Sequence, residues 1–189
     1  LLRSIVLTRL VEPYSKRKSQ EILDKKFDKP YDLNSIYRMM DKLHPKIDEI
    51  KAKVFERTQR LFPQGINLMF FDVTTLYFES QRMDDLRKFG YSKDCKFNEV
   101  QIVLSMLVNA EGVPFAYELF PGNMFEGHTL VNCLKALKEK YGIQKGILVA
   151  DRGMYSEENL EAVSKAGFEY IVGATVKRAS IKVKTQVLS

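Results

Sequence analysis

Tryptophan is absent from the 189 residues, and cysteine and histidine occur only twice each. Cys95 and Cys133 stand singly, with no second Cys or His at zinc spacing, which excludes a structural zinc site. Both read as small core residues of a reduced, cytosolic protein. His44 precedes a proline and His128 follows a glycine, and neither has a partner in sequence for nucleophilic or metal chemistry. Long apolar runs are missing as well. The opening Leu1–Leu10 is too short for a membrane span and is broken by Arg3 and Arg9. No glycine-rich phosphate loop, internal repeat or low-complexity tract is present. The chain also lacks an initiator Met, so the expectation is that it begins inside a longer protein.

What is there is a modest basic excess and two conspicuous acids. Lys and Arg number 30 against 24 Asp and Glu, a net charge of +6, which suits contact with a polyanion. The length allows one good core and a small accessory unit. Asp72 interrupts the apolar run that begins at Leu68-Met69-Phe70-Phe71 and continues to Phe78, and Asp151 closes Gly146-Ile147-Leu148-Val149-Ala150. Runs this apolar and β-branched are expected to be strands covered on both faces. An ionised carboxylate there needs a positive compensator. A divalent cation such as Mg2+, which takes hard oxygen ligands, is the obvious candidate if the two acids share one site.

Along the chain, residues 1–65 read as a charged helical region. Ser15 leads into one helix, Asn34-Ser35 precede another, and Pro45 separates that helix from a third carrying Ile47, Ile50, Val54 and Leu61 as its apolar stripe. Phe62-Pro63-Gln64-Gly65 marks a boundary. Residues 66–189 change character. A strand holds Asp72, a polar stretch runs from Glu79 to Glu99, and two strands, Gln101–Val108 and Val113–Phe120, flank the turn Asn109–Gly112. A helix on Leu130, Leu134 and Leu137 precedes the strand ending at Asp151. A second helix, capped by Ser156 and stopped by Gly167, precedes a last strand, Phe168–Val172. The order β-β-β-α-β-α-β predicts an α/β fold with a mixed sheet, a ribonuclease H-like core behind a helical N-terminal region. In that arrangement the first and fourth strands are parallel neighbours, which brings Asp72 and Asp151 together.

Four segments, Phe71-Asp72-Val73-Thr74, Gly90-Tyr91-Ser92-Lys93-Asp94, Phe120-Pro121-Gly122-Asn123 and Ala150-Asp151-Arg152-Gly153-Met154-Tyr155, occur in this order. Together they resemble the DDE-type transposases of bacterial insertion sequences, in the group whose second acidic motif is Asp-Arg-Gly and whose third is a Tyr, Arg, Glu and Lys cluster. The resemblance covers the stretch from Leu68 to Val176; the N-terminal helices fit it only loosely.

The resemblance implies a metal-dependent DNA transposase that cuts at transposon ends and joins the exposed 3′-hydroxyl to target DNA. It implies three acids holding two Mg2+ (or Mn2+) ions, with Asp72 the first and Asp151 the second. Paired ions of this kind activate the attacking oxygen and stabilise the leaving one. The third acid is expected beyond an insertion beginning near Ala174-Thr175-Val176-Lys177, so these 189 residues alone are expected to be inactive. Arg152 is a candidate phosphate contact through its guanidinium, and Lys93 and Lys96 are candidates for tracking a DNA backbone. Double-stranded DNA, a homodimer on that DNA, and a bacterial cytoplasmic, nucleoid-associated location complete the implied picture. The N-terminal helices are expected to bind DNA or dimerise. Two other readings stay open: a catalytically inactive DNA-binding or dimerisation remnant, and a ribonuclease H-like nuclease.

Overall fold

The computed structural model describes residues 1–62, 65–90 and 98–173. By compactness the chain divides into two units, Leu1–Lys51 and Ala52–Ser189.

In the first unit, α1 (Leu2–Val11), α2 (Lys16–Phe27) and α3 (Leu33–Leu43) enclose a small core of Ile5, Leu23 and Ile36. Local signals set the ends of the helices. Ser15 caps α2 by accepting from the Lys18 N–H at 3.2 Å, and Asp32 caps α3 by accepting from the Ser35 N–H at 3.2 Å. Asp28 ends α2 in the left-handed region at φ 49°. Pro45 sits at the start of a 3-10 turn, His44–Lys46, and α4 (Ile47–Leu61) follows.

The second unit is built on a five-stranded sheet of β1 (Leu68–Phe78), β2 (Val100–Asn109), β3 (Pro114–Pro121), β4 (Ile147–Ala150) and β5 (Glu169–Val172). Its spatial order is β3-β2-β1-β4-β5. The first three strands form an antiparallel meander, whereas β4 runs parallel to β1 and β5 parallel to β4. This is the mixed, ribonuclease H-like sheet that the order of elements predicts. The helices α5 (Thr129–Glu139) and α6 (Glu157–Lys165) make the two crossovers. Leu130, Cys133, Leu134 and Leu137 of α5 and Val163 of α6 join Met69, Phe71, Val103, Leu107 and Leu148 of the strands in one core. Cys133 is a buried core residue, as expected, with its Sγ 3.0 Å from Ser105 Oγ; Cys95 lies outside the described residues.

Two expectations need correction. Among the described residues, only one face of β1 is covered. Met69 and Phe71 are buried, but Phe70 and Leu76 are each 42% exposed on the other face, where Asp72 and Thr74 also lie exposed. A strand whose open side still carries Phe and Leu is indistinguishable in sequence from one buried on both sides. In α4 the stripe expected to pack is largely bare, with Val54 52% and Leu61 73% exposed. The docked residue is Phe55, whose ring lies 4.8 Å from that of Tyr141 and 6.1 Å from that of Phe115, both in tilted geometry.

Candidate active site

The positions of Asp72 and Asp151 are neighbours where β1 and β4 run side by side. The parallel register pairs Phe70 with Val149 and Phe71 with Ala150. Asp72 and Asp151 each follow directly on that last pair, on strands whose neighbours are spaced about 4.8 Å apart. Ala150 is buried and Asp151 keeps extended backbone angles, φ −72° and ψ 174°. Alternation along β4 therefore puts Asp151 on the same open face as Asp72. The covered-strand argument for a compensating charge falls away, because both aspartates are exposed. What the geometry supplies instead is two hard oxygen donors at adjacent positions on one face. Among the described residues no cation pairs with either carboxylate, and no cluster of three or more His, Cys, Asp or Glu side chains is placed to hold a metal.

Asp151 also caps a 3-10 turn, Arg152–Met154: its Oδ1 accepts from the Gly153 N–H at 2.8 Å. Beneath the turn, Asn159 of α6 is buried and donates through Nδ2 to the Met154 carbonyl at 3.0 Å. Ser156, the cap of α6, accepts from the Asn159 N–H at 3.1 Å. The turn that carries Asp151 is thus tied to the helix that follows it. Arg152 is exposed in this turn, beside Asp151, with no ion-pair partner among the described residues. Lys93 and Lys96 lie outside the described residues.

Two further motif glycines meet at the far side of the meander. Gln101 of β2 exchanges backbone hydrogen bonds with Lys88, at 2.9 and 3.1 Å, and its buried Nε2 donates to the Gly122 carbonyl at 2.7 Å. The Gly122 N–H donates to the Leu86 carbonyl at 2.9 Å. A methyl group on Gly122 would overlap the Gln101 carbonyl oxygen and lie 2.7 Å from that of Lys88; one on Gly90 would overlap the Gly122 carbonyl oxygen. Neither glycine has a positive φ. Gly122 is glycine because three backbones cross there, and not for the shape of a turn. That requirement arises from pairing between distant segments and leaves no periodic trace in sequence. Ahead of this crossing, the Arg87 N–H, together with the Arg87 side chain at 2.7 Å, holds the Asp84 carboxyl below the usual carboxylate range and closes the loop that leads to Lys88.

Residues 63–187 match the family model described as the transposase DDE domain. No curated protein matches the chain. Among solved structures, the Mos1 transposase paired-end complex with left transposon end aligns at TM-score 0.39 and 12% identity, over 90% of this chain and 58% of that one. The Mos1 strand transfer complex aligns at 0.40 and 10%, over 94% and 65%. The catalytic domain of Mos1 mariner transposase aligns at 0.37 and 12%, over 75% and 78%. The chain therefore spans less than two thirds of the Mos1 chain in each of the two complexes. These likenesses are too distant to transfer a residue or an activity.

Proposed function

The chain belongs to the DDE transposase domain family, and on that premise we propose that Asp72 and Asp151 are two of the metal-binding acids of a transposase that cleaves DNA at transposon ends and joins the freed 3′-hydroxyl to a target. One observation carries this reading: the two aspartates occupy adjacent positions on the open face of a parallel strand pair, each directly after the Phe71–Ala150 pair. Oxygen-only donors of this kind fit a hard divalent cation, Mg2+ or Mn2+. Such a cation supplies charge stabilisation to the attacking and leaving oxygens of an in-line displacement at phosphorus.

The chain's own residues do the rest. Asp72, held rigidly in the middle of β1, and Asp151, fixed by its hydrogen bond to Gly153, present their carboxylates from two elements of one sheet. Rigid elements suit this task, because small misplacements are costly in phosphoryl transfer. Arg152 stands next to Asp151 to meet a phosphate, and the basic excess of the chain favours double-stranded DNA. In this reading a third acid completes the metal site, and the transposase works as a homodimer on double-stranded DNA in the bacterial cytoplasm.

The test uses the full-length protein with a duplex that carries its transposon end. With Mg2+ we expect nicked DNA bearing a 3′-hydroxyl and a joined product, both abolished by EDTA. Cutting without joining would make the protein a nuclease, and DNA binding without cutting would make it an inactive remnant.

A further inference from the structure

Gly153 and Gly173 both lie against the turn that carries Asp151, and neither needs to be glycine for its backbone angles, since neither has a positive φ. Space is what they supply. A Cβ on Gly153 would stand 3.0 Å from Asp151 Oδ1 and 3.5 Å from Oδ2, inside or at van der Waals contact with the carboxylate that its own N–H binds. A Cβ on Gly173 would stand 3.2 Å from the Arg152 nitrogen and 3.5 Å from the Arg152 Cα and Cβ, pressing on the turn from behind. Gly173 also extends the parallel ladder past β5, its N–H donating to the Ala150 carbonyl at 3.3 Å. The hydrogen bonds that close the turn itself, from the Met154 N–H to the Asp151 carbonyl at 3.2 Å and from the Tyr155 N–H to the Arg152 carbonyl at 3.1 Å, make no demand for glycine at either position.

We propose that Gly153 and Gly173 are positioning residues for the Asp151 carboxylate: Gly153 holds Oδ1 by its N–H without the Cβ that would crowd that oxygen at 3.0 Å, and Gly173 fixes the backbone on which that hydrogen bond depends. The inference rests on the reading of Asp151 as a metal ligand. Asp151 is exposed, and the bond from Gly153 is the one hydrogen bond its side chain makes among the described residues. No packing replaces that bond if the carboxylate is pushed aside. A charge-assisted bond of this type is about twice as strong as a neutral one, which suits a lone restraint. Oδ2 is left for the cation.

The experiment compares Gly153→Ala, Gly173→Ala and Asp151→Asn in the full-length protein. Mn2+ affinity is measured by titration with paramagnetic detection, the Mn2+ concentration for half-maximal cleavage is measured alongside, and thermal unfolding serves as the check on folding. Both alanine variants are expected to keep their melting temperature, to bind Mn2+ about tenfold more weakly, and to recover cleavage when Mn2+ is raised. Asp151→Asn should not recover. Excess metal would also rescue a loosened fold by binding the folded state, so the melting temperature measured without metal is what separates positioning from mere structure. If Asp151→Asn weakens Mn2+ binding while the alanine variants bind as the parent does, the positioning role is overturned and the ligand assignment stands. If Asp151→Asn itself binds normally, the ligand assignment fails first. An alanine variant that loses its fold overturns the proposal at that position, because the space would then be needed by the fold and not by the carboxylate.

Discussion

Asp72→Asn in the full-length protein should reduce cleavage at the transposon end by at least ~10²-fold while leaving the fold and DNA binding intact. The expected size follows from the loss of one donor to a cation whose position sets the geometry of displacement at phosphorus. Stability is spared for a structural reason. Asp72 is exposed in mid-strand on the open face of β1, without an ion pair among the described residues, and Asn is nearly the same shape. Exposed substitutions of this kind usually stay within about 0.5 kcal/mol. Removing a negative charge close to a bound phosphodiester should leave DNA affinity equal or slightly higher, with the salt dependence unchanged. The check is a nicking assay run beside urea unfolding and a DNA-binding isotherm. A variant that still cleaves at the parent rate would remove Asp72 from the site.

Gly122→Ala should do the opposite, destabilising the fold by about 3 kcal/mol or more whatever its effect on DNA. The three atoms nearest a methyl group there are all backbone: the carbonyl oxygens of Gln101 and Lys88, and the Gln101 carbonyl carbon at 2.6 Å. A flexible side chain can move aside, but these carbonyls belong to the Lys88–Gln101 bridge and to a strand paired on both sides. Relief would break the hydrogen bonds that hold the end of the meander, including the buried one from Gln101 Nε2. Asn123→Ala, one residue on and exposed, serves as the control and should shift stability by no more than about 0.5 kcal/mol. Urea midpoints for the two variants check this. Equal midpoints would show that the crossing relaxes and that Gly122 is tolerant.

The contrast between these substitutions matches what could be read in the sequence. The adjacency of Asp72 and Asp151 follows from the order of elements: a meander of three strands, then a helix, then a strand, with the fourth strand returning to lie parallel to the first. The acids are visible because each ends or breaks an apolar run. Helix caps at Ser15 and Ser156 are equally local and equally legible. What escapes is whatever depends on one segment meeting another. The open face of β1 is hidden because Phe70 and Leu76 look like core residues. Phe55 is hidden because it falls outside the apolar stripe of its helix. The roles of Gly90, Gly122, Gly153 and Gly173 are hidden because a missing methyl group is informative only once its neighbours are known.

The most direct test of the shared site is a Mn2+ titration of the full-length protein and of Asp72→Asn and Asp151→Asn, singly and combined. If both carboxylates hold one cation, each single variant should bind at least about tenfold more weakly, and the double variant should lose much less than the product of the two, since partners in one site are not additive. A single variant that binds Mn2+ as tightly as the parent, or losses that simply multiply, would contradict a metal site shared between Asp72 and Asp151.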